Sequence, residues 1–265
     1  MNIVVCIKQV PDTTDIKIDE ETNTLIRQGI ECIINPYDMH AIETGLRLRD
    51  EYDGKVTVLS MGPPQVKEAL KDTIALGVDD VVLLSDRDFA GADTWATSYT
   101  LAQGIKAIGD IDLVLCGKQA IDGDTGQVGP GIAEQMQIPH TTYIKEIMEV
   151  NDDYIVVKRK IETGYEKIKM QLPALLTVTK ELNEVRLPSI RGLLRSKDID
   201  VSVWTSDDLE LDENGIGLDG SPTQVVSVST PEYDQEGEIY TGDIEKQTDN
   251  LLEALSGTEN LLKGE

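Results

Sequence analysis

The residues best placed to do chemistry lie in Cys116-Gly-Lys-Gln-Ala-Ile-Asp-Gly-Asp-Thr-Gly-Gln-Val-Gly-Pro-Gly131, a dense glycine and aspartate turn directly after the apolar run Ile111-Asp-Leu-Val-Leu115. In a parallel α/β sheet, the carboxyl end of a strand feeds a loop whose free N–H groups, with the first turn of the next helix, favour a bound phosphate or pyrophosphate. The spacing matches neither standard fingerprint. Gly117-Lys118 is followed by Gln119 rather than Ser or Thr, and the glycines at 123, 126, 129 and 131 do not read G-x-G-x-x-G. Composition leaves a nucleotide loop and an ordinary glycine-rich turn both open.

Further candidate ligand loops follow each expected strand on one edge: Lys8–Asp12, Asn35–Asp38, Ser60–Pro63, Ser85–Thr94 and Asp122–Gly131. They are expected to converge on one crevice. No Ser-His-Asp or Cys-His arrangement accompanies them, and no acidic pair stands out from the general acidity. Difficult chemistry would therefore belong to a cofactor.

The elements that must position these loops read as βα alternation. Apolar runs at Ile3–Ile7, Val56–Leu59, Val81–Leu84 and Leu113–Cys116 are separated by helical patterns over Tyr37–Tyr52, Pro64–Leu76 and Trp95–Ile108. The second helix should open on prolines and end at Gly77, a good residue just past a helix. The fold class is α/β, with a doubly wound parallel sheet. From about Thr141 the pattern changes to two alternating segments, Tyr154–Ile161 and Tyr165–Gln171, joined by Glu162-Thr-Gly164 as a hairpin that should cap or flank the sheet. A buried strand over Pro173–Val178 follows.

After Glu181 the chain becomes irregular. A locally basic stretch, Asn183–Arg195, precedes an acidic one from Asp198 to Asp219 that carries Trp204, which, with Val225-Val226 and the stripe Ile244, Leu251, Leu252 and Leu255, reads as needing apolar cover from beyond the first domain. A late strand over Gln224–Ser229 and an amphipathic helix over about Asp243–Leu255 end the chain. The expected division is 1–181 as a nucleotide-binding α/β domain and 182–265 as an extended arm, read as wrapping a partner.

The chain's 265 residues, 40% apolar, suffice for a buried core. A formal charge of −25 argues against nucleic acid and anionic membrane surfaces, both of which demand a basic patch. No apolar run approaches the ~18 residues of a membrane span, and Met1–Lys8 reads as a first strand rather than a secretory signal. Cys6, Cys32 and Cys116 read as buried thiols in a reducing cytoplasm. No metal site is expected, since His40 (a helix surface) and His140 (a loop) have no cysteine at ligand spacing.

Together these residues resemble the β subunit of electron transfer flavoproteins across nearly the whole chain. The resemblance is carried by Val5-Cys-Ile-Lys8, Asn35-Pro36, Ser60-Met-Gly-Pro63, Gly117-Lys-Gln-Ala-Ile-Asp122 and Thr125-Gly-Gln127. To these it adds the signature region from Val157 through Arg159, Glu162, Gly164, Glu166 and Ile168 to Pro173-Ala-Leu-Leu-Thr177. One signature position departs, Thr163 where Gly or Asp is usual. The resemblance implies an adenine nucleotide α-hydrolase-like fold with an added hairpin and C-terminal arm, partnered with an α subunit. It also implies that Cys6, Asn35, Asp38, Met61, Asp122, Thr125, Gly126, Gln127 and Val128 line the adenosine and phosphate end of a nucleotide. Core packing for Cys6 and Met61, and helix capping for Asp38, remain the plain alternatives.

Within that family, Asp86-Arg-Asp-Phe-Ala-Gly-Ala-Asp-Thr-Trp-Ala-Thr97 looks like the electron-bifurcating form. That form holds FAD where housekeeping members hold AMP, and it oxidises NADH. Phe89, Ala90, Gly91, Asp93, Thr94 and Thr97 would then serve the FAD, although Asp93-Thr94 is also a plain helix cap. Such a subunit would pass electrons to an α-subunit FAD and to ferredoxin or flavodoxin. The Arg186–Arg195 segment, with Leu187, Pro188 and Arg191, resembles the loop that docks an acyl-CoA dehydrogenase-type partner; a solvated basic helix is its alternative. A stand-alone nucleotide-binding regulator of the stress-protein type fits the α/β half but leaves the hairpin and this loop unexplained.

Overall fold

A computed structural model of the chain describes residues 1–12, 18–19, 24–25, 31–226 and 237–256. They fall in two compact units, Met1–Val226 and Ser227–Glu265.

In chain order the first unit contains β1 (Asn2–Ile7), β2 (Gln9–Pro11), β3 (Ile18–Asp19), β4 (Thr24–Leu25), β5 (Cys32–Ile34), α1 (Pro36–Tyr52), β6 (Lys55–Met61), α2 (Val66–Leu76) and β7 (Asp80–Leu84). It continues with α3 (Thr94–Ile108), β8 (Leu113–Gly117), α4 (Val128–Met136), β9 (His140–Val150), β10 (Tyr154–Ile161), β11 (Gly164–Gln171), β12 (Ala174–Val178), α5 (Ile190–Asp198) and β13 (Ser202–Trp204). A nine-stranded sheet runs β11-β10-β9-β12-β8-β1-β6-β7-β13. It is parallel from β9 to β13, and the β10–β11 hairpin extends one edge in antiparallel register.

The central strands are buried on both faces, which is why they read as continuous apolar runs rather than alternations. Ile3, Val5 and Ile7 face α1 and α2 in one core cluster. Val4, Cys6, Leu59, Val114 and Cys116 face α3 and α4 in the other. The winding reverses at β1: β6 lies on one side and β8 on the other. A crevice at the carboxyl ends of β1 and β8 follows, the place where doubly wound sheets bind ligands.

Four readings need correction. Cys32 is exposed in β5 rather than buried. His140 opens β9, a strand hidden from periodicity because its burial pattern does not alternate and Tyr143 departs from extended backbone at φ 59°. Helix α2 starts at Val66, since Pro63 to Gln65 form a preceding turn in which Val66 N donates to Pro63 O at 3.0 Å. Trp204 finds its apolar cover within the first unit: β13 pairs with β7 and Trp204 packs on the second core cluster.

The late strand expected over 224–229 lies partly outside the described residues, and 224–226 take no strand pairing. In the second unit, α6 (Ile244–Ser256) matches the final helix, with Ile244, Leu251 and Leu252 exposed.

Candidate functional site

Two buried polar side chains at the start of α1 organise the β1/β8 crevice. Asn35 donates from Nδ2 to Gln119 O at 2.8 Å and to Asp38 Oδ1 at 2.9 Å, while its Oδ1 accepts Ile121 N at 3.2 Å. Asp38 Oδ2 accepts Lys8 N at 2.7 Å, and Oδ1 accepts Gly117 N at 3.1 Å. Loops after β1, β5 and β8, far apart in the chain, are thereby tied to one point. Burial pushes the Asp38 carboxyl up to about 7, against the lowering effect of the hydrogen bonds from Asn35, Lys8 and Gly117. Asp122 reaches back over the crevice to Lys8, Oδ2 to Nζ at 2.7 Å, an exposed pair of small energetic worth.

The glycines of the opening motif divide by role. A Cβ on Gly117 would lie 2.2 Å from Asp38 Oδ1, and one on Gly129 2.7 Å from Thr177 Cγ2. A Cβ on Gly131 would lie 2.4 Å from Ser98 Oγ. These three serve close packing of strand and helices. Gly126, at φ 62°, makes the left-handed turn into α4. No side chain caps α4, whose first turn opens beside exposed Asp122, Thr125 and Gln127. Uncapped first-turn N–H groups favour an anion.

Helix α3 begins differently. Asp93 Oδ1 accepts Trp95 N at 2.9 Å and Ala96 N at 3.1 Å, and Oδ2 accepts Thr223 N at 3.0 Å and Thr223 Oγ1 at 2.7 Å. Burial alone would raise its pKa; bonds from Thr223, Ala96 and Trp95 hold it below its ordinary value. The Thr94 and Thr97 hydroxyls, three residues apart on one helix face, have no hydrogen-bond partner among the described residues. The Ser98 hydroxyl is within donating reach of Thr94 O at 2.7 Å and Val128 O at 3.2 Å, which sets the first turns of α3 and α4 side by side.

Cys6 and Cys116 are register partners across β1 and β8, and both are buried. Bonding to the Cys6 thiol, together with burial, pushes the Cys116 thiol well above its ordinary value. Met61 ends β6, partly buried against the same core, and Phe89 is buried in it. Ala90 and Gly91 are exposed on the turn before α3, with Gly91 at φ 75°. The structure thus gathers Cys6, Asn35, Asp38 and Asp122 at the β1/β8 crevice and joins Thr94 to Val128 through Ser98.

Leu187, Pro188 and Arg191 lie elsewhere, all exposed, on a segment fastened to α1 and α2. Arg186 Nε donates to Glu43 Oε2 at 2.8 Å, Arg47 Nη2 donates to Glu184 O at 2.8 Å, and Ser189 N donates to Ala75 O at 3.3 Å. Glu43 is a residue that sequence reasoning missed. Burial would raise its carboxyl, but bonds from Arg186 and Arg47 bring it below its ordinary value. Only its i, i+4 spacing to Arg47 hinted at a structural role. Leu187 is 88% exposed on this braced segment.

Among the described residues no group of three or more His, Cys, Asp or Glu could hold a metal ion, and no helix is long and apolar enough to cross a membrane. The electron transfer flavoprotein domain matches residues 22–209. The electron transfer flavoprotein subunit beta of Thermoanaerobacterium thermosaccharolyticum is 51% identical over 257 residues, covering 97% of this chain and 98% of that one. The caffeyl-CoA reductase-Etf complex subunit CarD of Acetobacterium woodii is 48% identical over 243 residues, covering 91% and 92%. Protein FixA of Azorhizobium caulinodans is 44% identical over 238 residues, covering 87% and 85%. With the electron transfer flavoprotein domain over residues 22–209 and full-length likeness to proteins of this kind, the chain belongs to the electron transfer flavoprotein family, among its β subunits.

Proposed function

We propose that this chain is the β subunit of an electron-bifurcating electron transfer flavoprotein and that its nucleotide is FAD. The observation that carries the reading is the pair of unpartnered hydroxyls, Thr94 and Thr97, at the first turn of α3 beside the uncapped start of α4. The uncapped start of α4 and the two free hydroxyls on α3 suit a ligand with more phosphate and hydroxyl groups than AMP has. When bound, FAD would accept hydride from NADH and release the two electrons singly, one toward a second FAD on the α subunit and one toward ferredoxin or flavodoxin.

The chain's own residues bind and orient. Asn35 and Asp38 hold the β1 and β8 loops in register, with Cys6 and Met61 lining the floor. Asp122, Thr125, Gly126, Gln127 and Val128 present the loop and the helix start to the phosphates. Phe89, Ala90, Gly91 and Asp93 shape the turn that delivers Thr94 and Thr97.

Residues 1–181 hold the nucleotide in this reading. Residues 182–265 carry the docking segment and an arm that wraps the α subunit, with Thr223 fastened back to Asp93. Leu187, Pro188 and Arg191 dock an acyl-CoA dehydrogenase-type partner in the cytoplasm; the name of the CarD relative, a caffeyl-CoA reductase complex subunit, supports a partner acting on CoA esters.

A second reading, structural AMP in a housekeeping subunit, is favoured by Asp93, whose carboxylate is fully engaged within the chain as a plain cap. Cofactor extraction from the purified heterodimer separates the two. About two FAD and little AMP per pair are expected; one FAD and one AMP would establish the housekeeping reading.

A further inference from the structure

Beside the crevice, two lysines rest on tyrosine rings instead of carboxylates. Lys118 Nζ is 5.8 Å from the Tyr37 ring centroid and 5.1 Å from that of Tyr143. Lys180 Nζ is 4.9 Å from the Tyr37 centroid. Among the described residues neither ammonium has a carboxylate within salt-bridge distance. The neighbouring Glu181 is directed to Lys160 instead, at 3.9 Å. The cluster is built by the sheet. β8 and β12 end side by side with Gly117 opposite Val178, Lys118 N donates to Val178 O at 2.9 Å, and Lys180 begins the turn after β12. Tyr37 adjoins Asp38, the clamp of the crevice. Tyr143 is 40% exposed and holds a left-handed backbone at φ 59°, strain of the kind that collects at binding sites.

We propose that Lys118 and Lys180, set on the Tyr37 and Tyr143 rings, form a subsite for the phosphates of reduced nicotinamide dinucleotide as it approaches the crevice. This rests on the reading that NADH reduces the nucleotide bound here. A chain with a formal charge of −25 repels an anionic dinucleotide, so productive approach requires a local cationic spot at the rim. Two ammoniums match a diphosphate, and the exposed Tyr143 ring offers a face on which a base can stack. The cluster adjoins Gly117 and Asp38, whose hydrogen bond frames the β1/β8 crevice, so a ligand held on it lies beside one seated there.

The test uses the purified heterodimer and NADH-driven flavin reduction. In the K118Q/K180Q double variant the KM for NADH rises about tenfold or more, the factor expected for one lost charge-assisted hydrogen bond. The kcat at saturating NADH stays within about twofold, and flavin content is unchanged. Added salt raises the KM of the native protein but barely that of the variant, and K118R/K180R restores the native KM. An unchanged KM in the glutamine variant, or dissociation of the heterodimer in place of a KM effect, overturns the subsite; the latter would assign the lysines to the subunit interface. The parent reading is judged on the native protein. If NADH does not reduce its flavins, that reading falls and the subsite with it. If NADH does reduce them and the variant keeps its KM, only the subsite falls.

Discussion

Asp38 Oδ1 accepts the Gly117 N–H at 3.1 Å, which ties the first turn of α1 to the carboxyl end of β8 across 79 residues of chain. The same carboxylate takes the Lys8 N–H at 2.7 Å, so one buried group sets the separation of the two strand ends that frame the crevice.

That burial makes stability depend on pH. The Asp38 carboxyl, ordinarily at 3.8, is raised to about 7. Between these values the folded chain holds a proton that the unfolded chain has released. The folded state therefore binds more protons, and stability falls as pH rises from about 4 to about 7, then levels off. Glu43 and Asp93, whose values are lowered, act in the opposite sense at the acid end, and Asp72, raised by burial and by Glu68, acts in the same sense, so at pH 5 to 7 the share that belongs to Asp38 is the share its substitution removes. Thermal melts should show that share lowering stability by at most roughly 1.4 kcal/mol per pH unit there, and Asp38→Asn should remove it. An identical slope in the variant would refute the assignment.

Gly117→Ala tests the same contact by volume. Its Cβ would lie 2.2 Å from Asp38 Oδ1 and 2.7 Å from Tyr37 Cβ, so the clamp must open. A loss of about 1–3 kcal/mol in chemical denaturation is expected, with lowered nucleotide content after purification. Native stability in this variant would mean that the strand end is free to move.

Thr94→Val with Thr97→Val probes the FAD reading. Since neither hydroxyl has a partner among the described residues, the fold should change by no more than about 0.5 kcal/mol. Flavin content should nonetheless drop from about two to about one per heterodimer, each lost bond to a charged group being worth roughly 1.5–3 kcal/mol. Full retention of both flavins would count against the hydroxyls.

The docking segment separates bracing from contact. Leu187→Ala, at a side chain 88% exposed, should leave stability and NADH-driven flavin reduction intact while slowing electron transfer to the dehydrogenase partner, with a cost of about 1.5–3 kcal/mol in association. Glu43→Gln, which weakens the hold on Arg186 and Arg47, should cost about 1–3 kcal/mol of stability and slow the partner reaction by loosening the loop. A parallel fall in NADH oxidation in the Leu187 variant would make the segment structural.

The sequence by itself determined the parallel α/β core, because Ile3–Ile7 and Leu113–Cys116 are apolar on consecutive positions and only strands buried on both faces need that. The hairpin at 154–171, the helix stop at Gly77, the Asp93-Thr94 start and the family were equally legible, since each is written in adjacent residues. The tertiary structure decided the rest. Asp38 read equally well as a helix cap or a ligand residue until its oxygens met Lys8 and Gly117, a relationship no local spacing encodes. The glycines at 129 and 131 left a phosphate loop and an ordinary turn both open, and Thr177 and Ser98, brought from other elements, explain them by packing. Strand β9 escaped notice because Tyr143 breaks its alternation, and Trp204 looked uncovered because β13 pairs with β7, which puts Trp204 beside Leu84, a partner no local spacing names. Periodicity reports which face of an element is buried; which elements meet is set by chain reversals and sheet order, and those are settled only when the whole core packs.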